Sequence, residues 1–236
     1  MAVTCLLYAV VPLRAAEFFY LDHDEFTHEY AGPVGPFVVS GEISTGDTQR
    51  VLEKILEDPE RFLARDAVVL ASRSGDVAEA IKLARLLQGL HSTVRVNPLT
   101  GDCVGVCLLI FAAADERATD ADHLLGVMPL DAAPTVRGAA RQLLADAGVA
   151  DAFQEQLLRR SADSIDWLSV DEEAALGSRS ASFTRYLAER CGWDQALERA
   201  VMTGQRPLSD LKPLLDCRRR VVLADARRVL AGARKH

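Results

Sequence analysis

The sequence predicts an α/β fold with a mostly parallel sheet flanked by helices, followed by a helical C-terminal extension. From Phe37 onward, short β-rich runs alternate with longer runs of helical periodicity, as in chains whose parallel strands are joined by right-handed crossovers. The run Ala67–Ala71 is apolar at every position, which is typical of a strand buried on both faces of a sheet. After Gly177 the remaining patterns are helical.

The α/β part is predicted to contain strands at residues 37–43, 67–71, 93–96 and 124–128. The first helix has apolar positions at 51, 52, 55 and 56 and ends near Pro59. The second helix is capped by Asp76, with Glu79 as its capping-box partner. Residues 103–114 are apolar on every side and predict a central buried helix, and residues 135–147 form a further helix.

The C-terminal part is predicted to form helices at residues 182–190, 194–202 and 211–230. It is too short to bury a core alone, so we interpret residues 179–236 as an extension of one domain at residues 17–178. Residues 212–236 contain eight Lys/Arg and two Asp, a net charge of +6. A solvated helical face is the default interpretation, and contact with an anionic partner or membrane surface is the alternative. The apolar positions Leu215, Val222 and Val229 are expected to pack on the main domain or a neighbouring subunit.

The composition is that of a soluble globular protein. Of the 236 residues, 49% are hydrophobic and 26% are charged, and the mean hydropathy is +0.06. The net charge of −7 argues against general nucleic-acid binding, which needs a basic surface. No apolar run reaches the roughly 18 residues of a membrane span, so no integral span is expected.

The first sixteen residues are similar in pattern to a secretory signal. Positions 2–13 carry no charge, and Ala15 and Ala16 offer small side chains for cleavage before Glu17. The alternative is a buried first strand or helix of a cytoplasmic protein, since no basic residue precedes the apolar run. The favoured interpretation is export to the periplasm or another compartment outside the cytoplasm.

Cysteine usage agrees with export. Removal of residues 1–16 would leave four of the five cysteines, an even number, as expected in an oxidising compartment. Of the three pairings that four cysteines allow, Cys103–Cys107 and Cys191–Cys217 are favoured. The first pair lies one turn apart on the predicted helix, and the second lies wholly within the C-terminal extension. The alternative is that all are buried thiols in a reducing compartment.

Three segments resemble the proteolytic subunits of Clp-type proteases. Residues 41–47 (GEISTGD) look like the first strand and turn of that family, and residues 68–77 (VVLASRSGDV) look like a later strand, glycine turn and helix start. Residues 103–114 (CVGVCLLIFAAA) are similar to the nucleophile helix of exported relatives. With further matches at 125–129 and 165–169, the resemblance spans about residues 37–177. It implies a ClpP/crotonase fold, and predicted periplasmic ClpP-like proteins are the most similar group.

The resemblance also implies a catalytic triad, and its three positions are empty in this chain. The chemistry needs a serine at a strand-to-helix turn, a histidine base and a carboxylate that orients the histidine. These positions hold Gly105, Met128 and Ile165. The two oxyanion donors of the family are backbone N–H groups, matched here by Gly75 and Val106. Because backbone donors persist when side chains are lost, a pocket for a carbonyl or carboxylate group is still expected.

No neighbouring side chain is expected to replace the triad. His123 lies five positions before Met128 on the presumed strand, and an odd offset points the two side chains to opposite faces. Cys103 and Cys107 are each rotated by about 200° from Gly105 on the predicted helix.

Other polar groups are interpreted as structural. Ser169 and Glu172 predict a capping box. Residues 22–28 hold metal-capable side chains (Asp22, His23, Asp24 and His28), but their spacing lacks a recognised signature. No metal and no cofactor are therefore predicted.

The preferred hypothesis is a non-catalytic ClpP-like protein, a pseudoprotease that binds a peptide or acyl ligand or acts as an assembly module. The resemblance implies self-association, so a homo-oligomer is expected. One alternative is an active serine-type peptidase or hydrolase of this family, which a Ser–His pair within hydrogen-bond distance would favour. The other is a crotonase-like acyl-thioester enzyme, which a carboxylate beside Gly105 or Met128 would favour.

Overall fold

The structure, a computed structural model, describes residues 15–21, 35–65, 67–158 and 164–235. Residues 1–14 of the predicted signal and the metal-capable segment 22–28 lie outside these ranges. Ala16, the last residue of the predicted signal, is buried in the main core, and its N–H donates to the carbonyl oxygen of Glu42 at 3.1 Å.

The described residues form strands and helices in an alternating order. The strands are β1 (Glu17–Tyr20), β2 (Phe37–Ser40), β3 (Ala67–Ala71), β4 (Thr93–Val96), β5 (Cys103–Val104), β6 (Glu116–Thr119), β7 (Leu125–Val127) and β8 (Asp166–Trp167). The helices are α1 (Asp47–Glu57), α2 (Pro59–Arg65), α3 (Val77–Gly89), α4 (Val106–Ala113), α5 (Pro134–Asp146), α6 (Asp151–Leu157), α7 (Val170–Leu176), α8 (Ala181–Cys191), α9 (Gln195–Met202) and α10 (Leu208–Ala233).

The main sheet has the strand order β1-β2-β3-β4-β6. Strand β1 is antiparallel to β2, and the other pairings are parallel. The apolar strand β3 lies at the centre, where Val68, Val69 and Leu70 are buried, as its sequence predicted. The predicted α/β class, with a mostly parallel sheet and a helical C-terminal extension, is therefore confirmed.

A second, three-stranded sheet carries the segments around the predicted triad. Its order is β5-β7-β8, with β5 parallel to β7 and β7 antiparallel to β8. The strand predicted at 124–128 is β7 of this small sheet, whereas the strand beside β4 is β6. The sequence of β6, ERAT, has no apolar run, so the pattern of hydrophobic residues could not reveal it.

The buried helix predicted at 103–114 starts three residues later than expected. Cys103 and Val104 form β5, and Gly105, with φ 59° and ψ −110°, separates this strand from α4. All eight residues of α4 are buried, as the apolar sequence predicted. An apolar run cannot by itself distinguish a buried strand from a buried helix, which explains the wrong boundary.

The start of α3 shows one correct and one wrong prediction. Asp76 caps the helix by accepting from the N–H groups of Ala78 and Glu79, as predicted. Glu79 does not complete a capping box, because its carboxylate accepts from the Thr48 N–H at 2.8 Å and from Lys82 at 3.0 Å. Burial alone would raise the pKa of Glu79, but these hydrogen bonds outweigh it and lower the pKa from 4.5 to about 2. Glu79 therefore ties α3 to α1.

The C-terminal helices pack on the main domain through a face of α10 that overlaps the predicted one, and Val229 Cγ2 would lie 3.9 Å from a Cβ on Gly89 of α3. Of the three predicted positions on α10, Val222 is buried, but Leu215 and Val229 are 38% and 36% exposed. The other buried positions of the helix are Leu211, Ala226 and Leu230. Ala226 and Leu230 belong to the main core, whereas Leu211 and Val222 join Phe183, Leu187 and Trp193 in a separate cluster.

Arg218 does not belong to the solvated face that the sequence predicts for the extension. It donates two hydrogen bonds to Glu116 on β6, which also accepts from Arg179 at 3.2 Å. Arg179 in turn binds Glu198 on α9 at 2.9 Å. This ion-pair network attaches the extension to the edge of the main sheet. Among the residues that the structure describes, no helix is both long enough and apolar enough to cross a membrane.

Candidate functional site

The centre of the candidate site is a sharp strand-to-helix turn at Gly105. The turn is held by backbone hydrogen bonds on both sides: Val104 N–H donates to Ser72 at 2.9 Å, and Gly105 N–H donates to Gly126 at 3.1 Å. The positive φ of 59° is a conformation that residues with side chains rarely adopt. Gly105 therefore occupies an elbow at which a side chain would project from the turn.

The structure brings the predicted nucleophile and base positions together. A Cβ atom built on Gly105 would lie 3.4 Å from Met128 Cε and 3.6 Å from Met128 Cβ, with Leu130 Cδ2 at 3.8 Å. The nearest atoms to a side chain at position 105 thus belong to a thioether and a leucine. Neither can accept a proton from a nucleophile.

The third predicted position lies beside the other two. Strands β7 and β8 are antiparallel with Val127 opposite Asp166, and continuing this register sets Met128 opposite Ile165. Ile165 Cγ2 would lie 2.6 Å from a Cβ on Gly126, so Gly126 is needed for this close approach. Asp166 is exposed, and its carboxylate accepts from Gln156 at 3.4 Å. Asp163 lies outside the described residues.

Gly75 lies in the loop between β3 and α3, where it is required by both conformation and space. Its φ is 150°, and a Cβ there would lie 2.8 Å from Ile43 N and Ile43 Cβ and closer still to Ile43 O. The neighbouring groups are paired: Ile43 N–H donates to Ser74 at 3.1 Å, and Asp76 N–H donates to Ile43 at 2.7 Å. Among the described residues, no acceptor is bonded to the Gly75 N–H.

Val106 is the first residue of α4, so its N–H lacks an acceptor within the helix. No side chain caps this helix. Within the described part of the chain, the N–H groups of Val106, Cys107 and Leu108 donate no hydrogen bond. A helix start of this kind favours an anionic or carbonyl oxygen. Both proposed donors, Gly75 and Val106, thus have an N–H that is available in the described structure.

Disulfide bonds join Cys103 to Cys107 and Cys191 to Cys217, the two pairs favoured from the sequence. The reason given for the first pair was wrong, because Cys103 lies on β5 and not on the helix. The bond spans the elbow, with the two Cα atoms 5.0 Å apart on either side of Gly105. Both cysteines are fully buried, so the disulfide constrains the turn from its buried side.

The second disulfide joins the end of α8 to α10, and its removal is expected to destabilise the extension. Cys191→Ser together with Cys217→Ser should lower the free energy of unfolding by about 2–4 kcal/mol, because the bond closes a loop with a sequence separation of 26. Urea unfolding under non-oxidising conditions measures this loss. A companion count of free thiols in denatured, unreduced protein from its native compartment checks the pairing. Four reactive thiols in the wild-type chain would contradict it.

The described histidines do not provide a substitute base. His123 is not on β7 but in the turn before it, with φ 60°, and its Nδ1 lies 3.4 Å from the Leu168 carbonyl oxygen. The strand-alternation argument for His123 was therefore wrong, since no strand continues to that residue. His91 Nδ1 lies 2.7 Å from Asp115, and Ser180 Oγ donates to the same carboxylate at 3.3 Å. Within residues 15–21, 35–65, 67–158 and 164–235, no serine hydroxyl is hydrogen-bonded to a histidine.

A cleft of about 380 Å³ lies away from the elbow, between α4, β6 and α7. Its walls include Phe111, Thr119 and Glu173. Burial raises the pKa of Glu173, whose Oε1 atom is buried without a hydrogen-bond partner in the described structure. The sequence offered no signal for this residue, because an acid in the first turn of α7 is an ordinary helix-start feature. The predicted capping box of Ser169 and Glu172 in the same helix is confirmed.

Among the described residues, no group of three His, Cys, Asp or Glu side chains could hold a metal ion.

No protein-family model matches the chain, and no curated protein is similar to it in sequence at a significant level. Among solved structures, the chain is similar to a serine-to-alanine mutant of the membrane-bound stomatin-specific protease 1510-N, with 12% identity and a TM-score of 0.42 over 66% of this chain and 83% of that one. It is also similar to the enoyl-CoA hydratase EchA3 from Mycobacterium ulcerans Agy99, with 13% identity and a TM-score of 0.43 over 92% and 96% of the two chains. Likenesses at this level carry no argument about activity.

Proposed function

We propose that the protein is a pseudoenzyme of the ClpP/crotonase type, which binds a peptide or acyl ligand at the Gly105 elbow without cleaving it. The observation that carries the proposal is the pairing of Gly105 with Met128. The backbone at the elbow turns sharply from strand to helix, as a nucleophile turn does. The residue at this turn is a glycine, and a side chain there would contact the thioether group of Met128. A covalent route by way of position 105 has neither an attacking oxygen nor a base.

The groups that remain at the elbow support binding. The N–H of Gly75, which has no acceptor among the described residues, and the N–H groups at the start of α4 are donors for a carbonyl or carboxylate oxygen. Met128 and Leu130 give the site an apolar wall suited to an acyl chain or an apolar peptide side chain. The disulfide at Cys103 and Cys107 holds the turn that presents Val106. A preorganised backbone site of this kind binds without a catalytic side chain.

The two alternatives lack an observation of their own. An active hydrolase needs a Ser–His contact, and the described histidines are bound to Asp115 and to a backbone carbonyl instead. A crotonase-like enzyme needs a carboxylate at the elbow, and the nearest atoms to the side-chain position at 105 are apolar. The pseudoenzyme therefore remains the function that this geometry supports best.

The wild-type protein is expected to hydrolyse neither peptides nor activated esters at the elbow, and fluorophosphonate probes should leave no adduct on residues 103–114. Backbone donors without nucleophile and base give at most about 10³–10⁴-fold acceleration over water. Mass spectrometry of the labelled protein measures adducts at each serine, with an active serine hydrolase in the same reaction as positive control. Specific labelling of any serine in the unmutated chain would overturn the proposal in favour of the hydrolase.

A second variant tests whether positions 105 and 128 are the triad positions. Gly105→Ser with Met128→His restores two of three groups and is expected to give only weak esterase activity, because the double variant does not restore the carboxylate that would orient the histidine. Gly105→Ala with Met128→His is the matched control, since it has the same bulk at the elbow without the hydroxyl. Activity that is equal in the two variants would rule out attack by the residue at position 105.

A further inference from the structure

The C-terminal helices carry a charge opposite to that of the rest of the chain. Residues 181–236 contain twelve Lys/Arg and six Asp/Glu, a net charge of +6. Since the whole chain has a net charge of −7, residues 1–180 carry −13. The protein thus has an acidic body and a basic extension. Such an asymmetry orients a protein at a charged surface.

Several cations of the extension are not used by the fold. Arg218, Arg227 and Arg228 pair with carboxylates at Glu116, Glu60 and Asp225. Five other basic residues are exposed and pair with no carboxylate within the described ranges: Arg199, Arg219, Arg220, Arg234 and Lys235. Their charges are therefore available to an external partner.

Exposed apolar side chains lie among these cations. Met202 at the end of α9 is 78% exposed, and Leu208 and Leu215 on α10 are 66% and 38% exposed. Leu208, Lys212, Leu215 and Arg219 follow the spacing i, i+4, i+7 and i+11, which places them along one side of the helix. We call these four residues the basic–apolar face, and we include with them the exposed Met202 on α9 and Arg220, which lies about 100° around α10 from Arg219. Lys212 also pairs with Asp216 at 3.3 Å. The face mixes long apolar and cationic side chains over about 16 Å of helix.

We propose that the basic–apolar face binds peripherally to an anionic membrane surface. At a lipid interface, leucine and methionine side chains enter the boundary of the acyl region while arginines contact the phosphates. Exposed cations and apolar side chains on a chain whose remainder is acidic are complementary to an anionic lipid surface, which offers phosphates and acyl chains together. The acidic body is repelled by the same lipids, which leaves the extension as the side that touches the membrane. This inference is independent of the ligand at the elbow.

The full-length protein should cosediment with vesicles of phosphatidylcholine and phosphatidylglycerol, but not with phosphatidylcholine vesicles alone. Binding should weaken as salt is raised, because exposed charges are screened. Arg219→Glu with Arg220→Glu should lower the partition coefficient by about tenfold or more. Met202→Gln with Leu208→Gln should lower it by about fivefold without changing the net charge.

The matched control is Lys54→Glu with Arg85→Glu, which makes the same change in net charge on the main domain. It should leave the partition coefficient within about twofold of the wild type, and circular dichroism checks that each variant is folded. Equal binding to both kinds of vesicle, or equal losses in the control and the Arg219/Arg220 variant, would contradict the proposal. If the Arg219/Arg220 variant changes the mass in solution but not vesicle binding, the face joins copies of this chain and the membrane proposal is wrong.

Discussion

Arg117→Ala is expected to lower the free energy of unfolding by about 3–5 kcal/mol. Arg117 is only 5% exposed, and its guanidinium donates to four carbonyl oxygens. These are the carbonyls of Ala112 near the end of α4, of Leu176 at the end of α7, and of Gly177 and Arg179 after it. Burial lowers the pKa of Arg117 to about 10, while the charge of Asp115 acts in the opposite direction.

The expected loss of stability is large because alanine cannot replace the hydrogen bonds of the buried guanidinium group. The variant loses charge-assisted hydrogen bonds and leaves buried carbonyl groups without donors, and each such loss costs about 1–3 kcal/mol. Arg117→Lys keeps the charge but lacks the planar fork, so it should recover only part of the stability. Arg85→Ala, at an exposed position of α3, is the control and should change stability by less than about 0.5 kcal/mol. Urea unfolding measures all three. An Arg117→Ala protein within about 1 kcal/mol of the wild type would show that water replaces the guanidinium at no great cost.

Gly75→Ala is expected to destabilise the protein by about 2–4 kcal/mol and to weaken ligand binding at the elbow. The added methyl group would meet the backbone of Ile43 at less than van der Waals distance, and backbone atoms cannot move aside as a flexible side chain can. The φ of 150° is unfavourable for alanine as well. The loop that presents the Gly75 N–H must therefore shift.

The variant Gly192→Ala separates the cost of an unfavourable φ from the cost of the steric overlap with Ile43. Gly192 has a positive φ of 63°, but nothing lies within 4 Å of a Cβ built there. It should lose only the backbone preference, about 1 kcal/mol. Chemical denaturation gives the stabilities, and amide NMR spectra show whether the Gly75 variant alters the resonances of Val106 and Ile43. If the two alanine variants are equally stable, the close approach to Ile43 has no energetic weight.

The Arg117 and Gly75 variants probe parts of the fold that were unequally visible in the sequence. Gly75 was singled out because residues 68–77 resemble the strand, glycine turn and helix start of Clp-type proteolytic subunits. Arg117 did not stand out, since an arginine in the charged strand ERAT looks like a surface residue. Its burial depends on carbonyl groups contributed by segments about sixty positions away, and no local pattern contains that information.

Some features of the elbow could likewise be predicted from the sequence, and others could not. The resemblance of residues 103–114 located Gly105 and the apolar run after it, but the run itself could not show that Cys103 and Val104 pair with β7 as a strand. That pairing set the helix start at Val106 and the cysteines on opposite sides of the turn. The pairing of Val127 with Asp166, next to Met128 and Ile165, likewise depends on the register between β7 and β8, which the sequence leaves undetermined.

The sequence by itself determined the α/β class, the buried central strand and helix, and the helical extension. These features follow from local hydrophobic period and from residue identity, which act over a few positions of the chain. The tertiary structure alone decided which strand borders β4, how deeply each apolar residue of α10 is buried and which cations of the extension pair with carboxylates. Each of these depends on contacts between distant segments, such as Glu116 with Arg218, whose free energy arises only when the chain has folded.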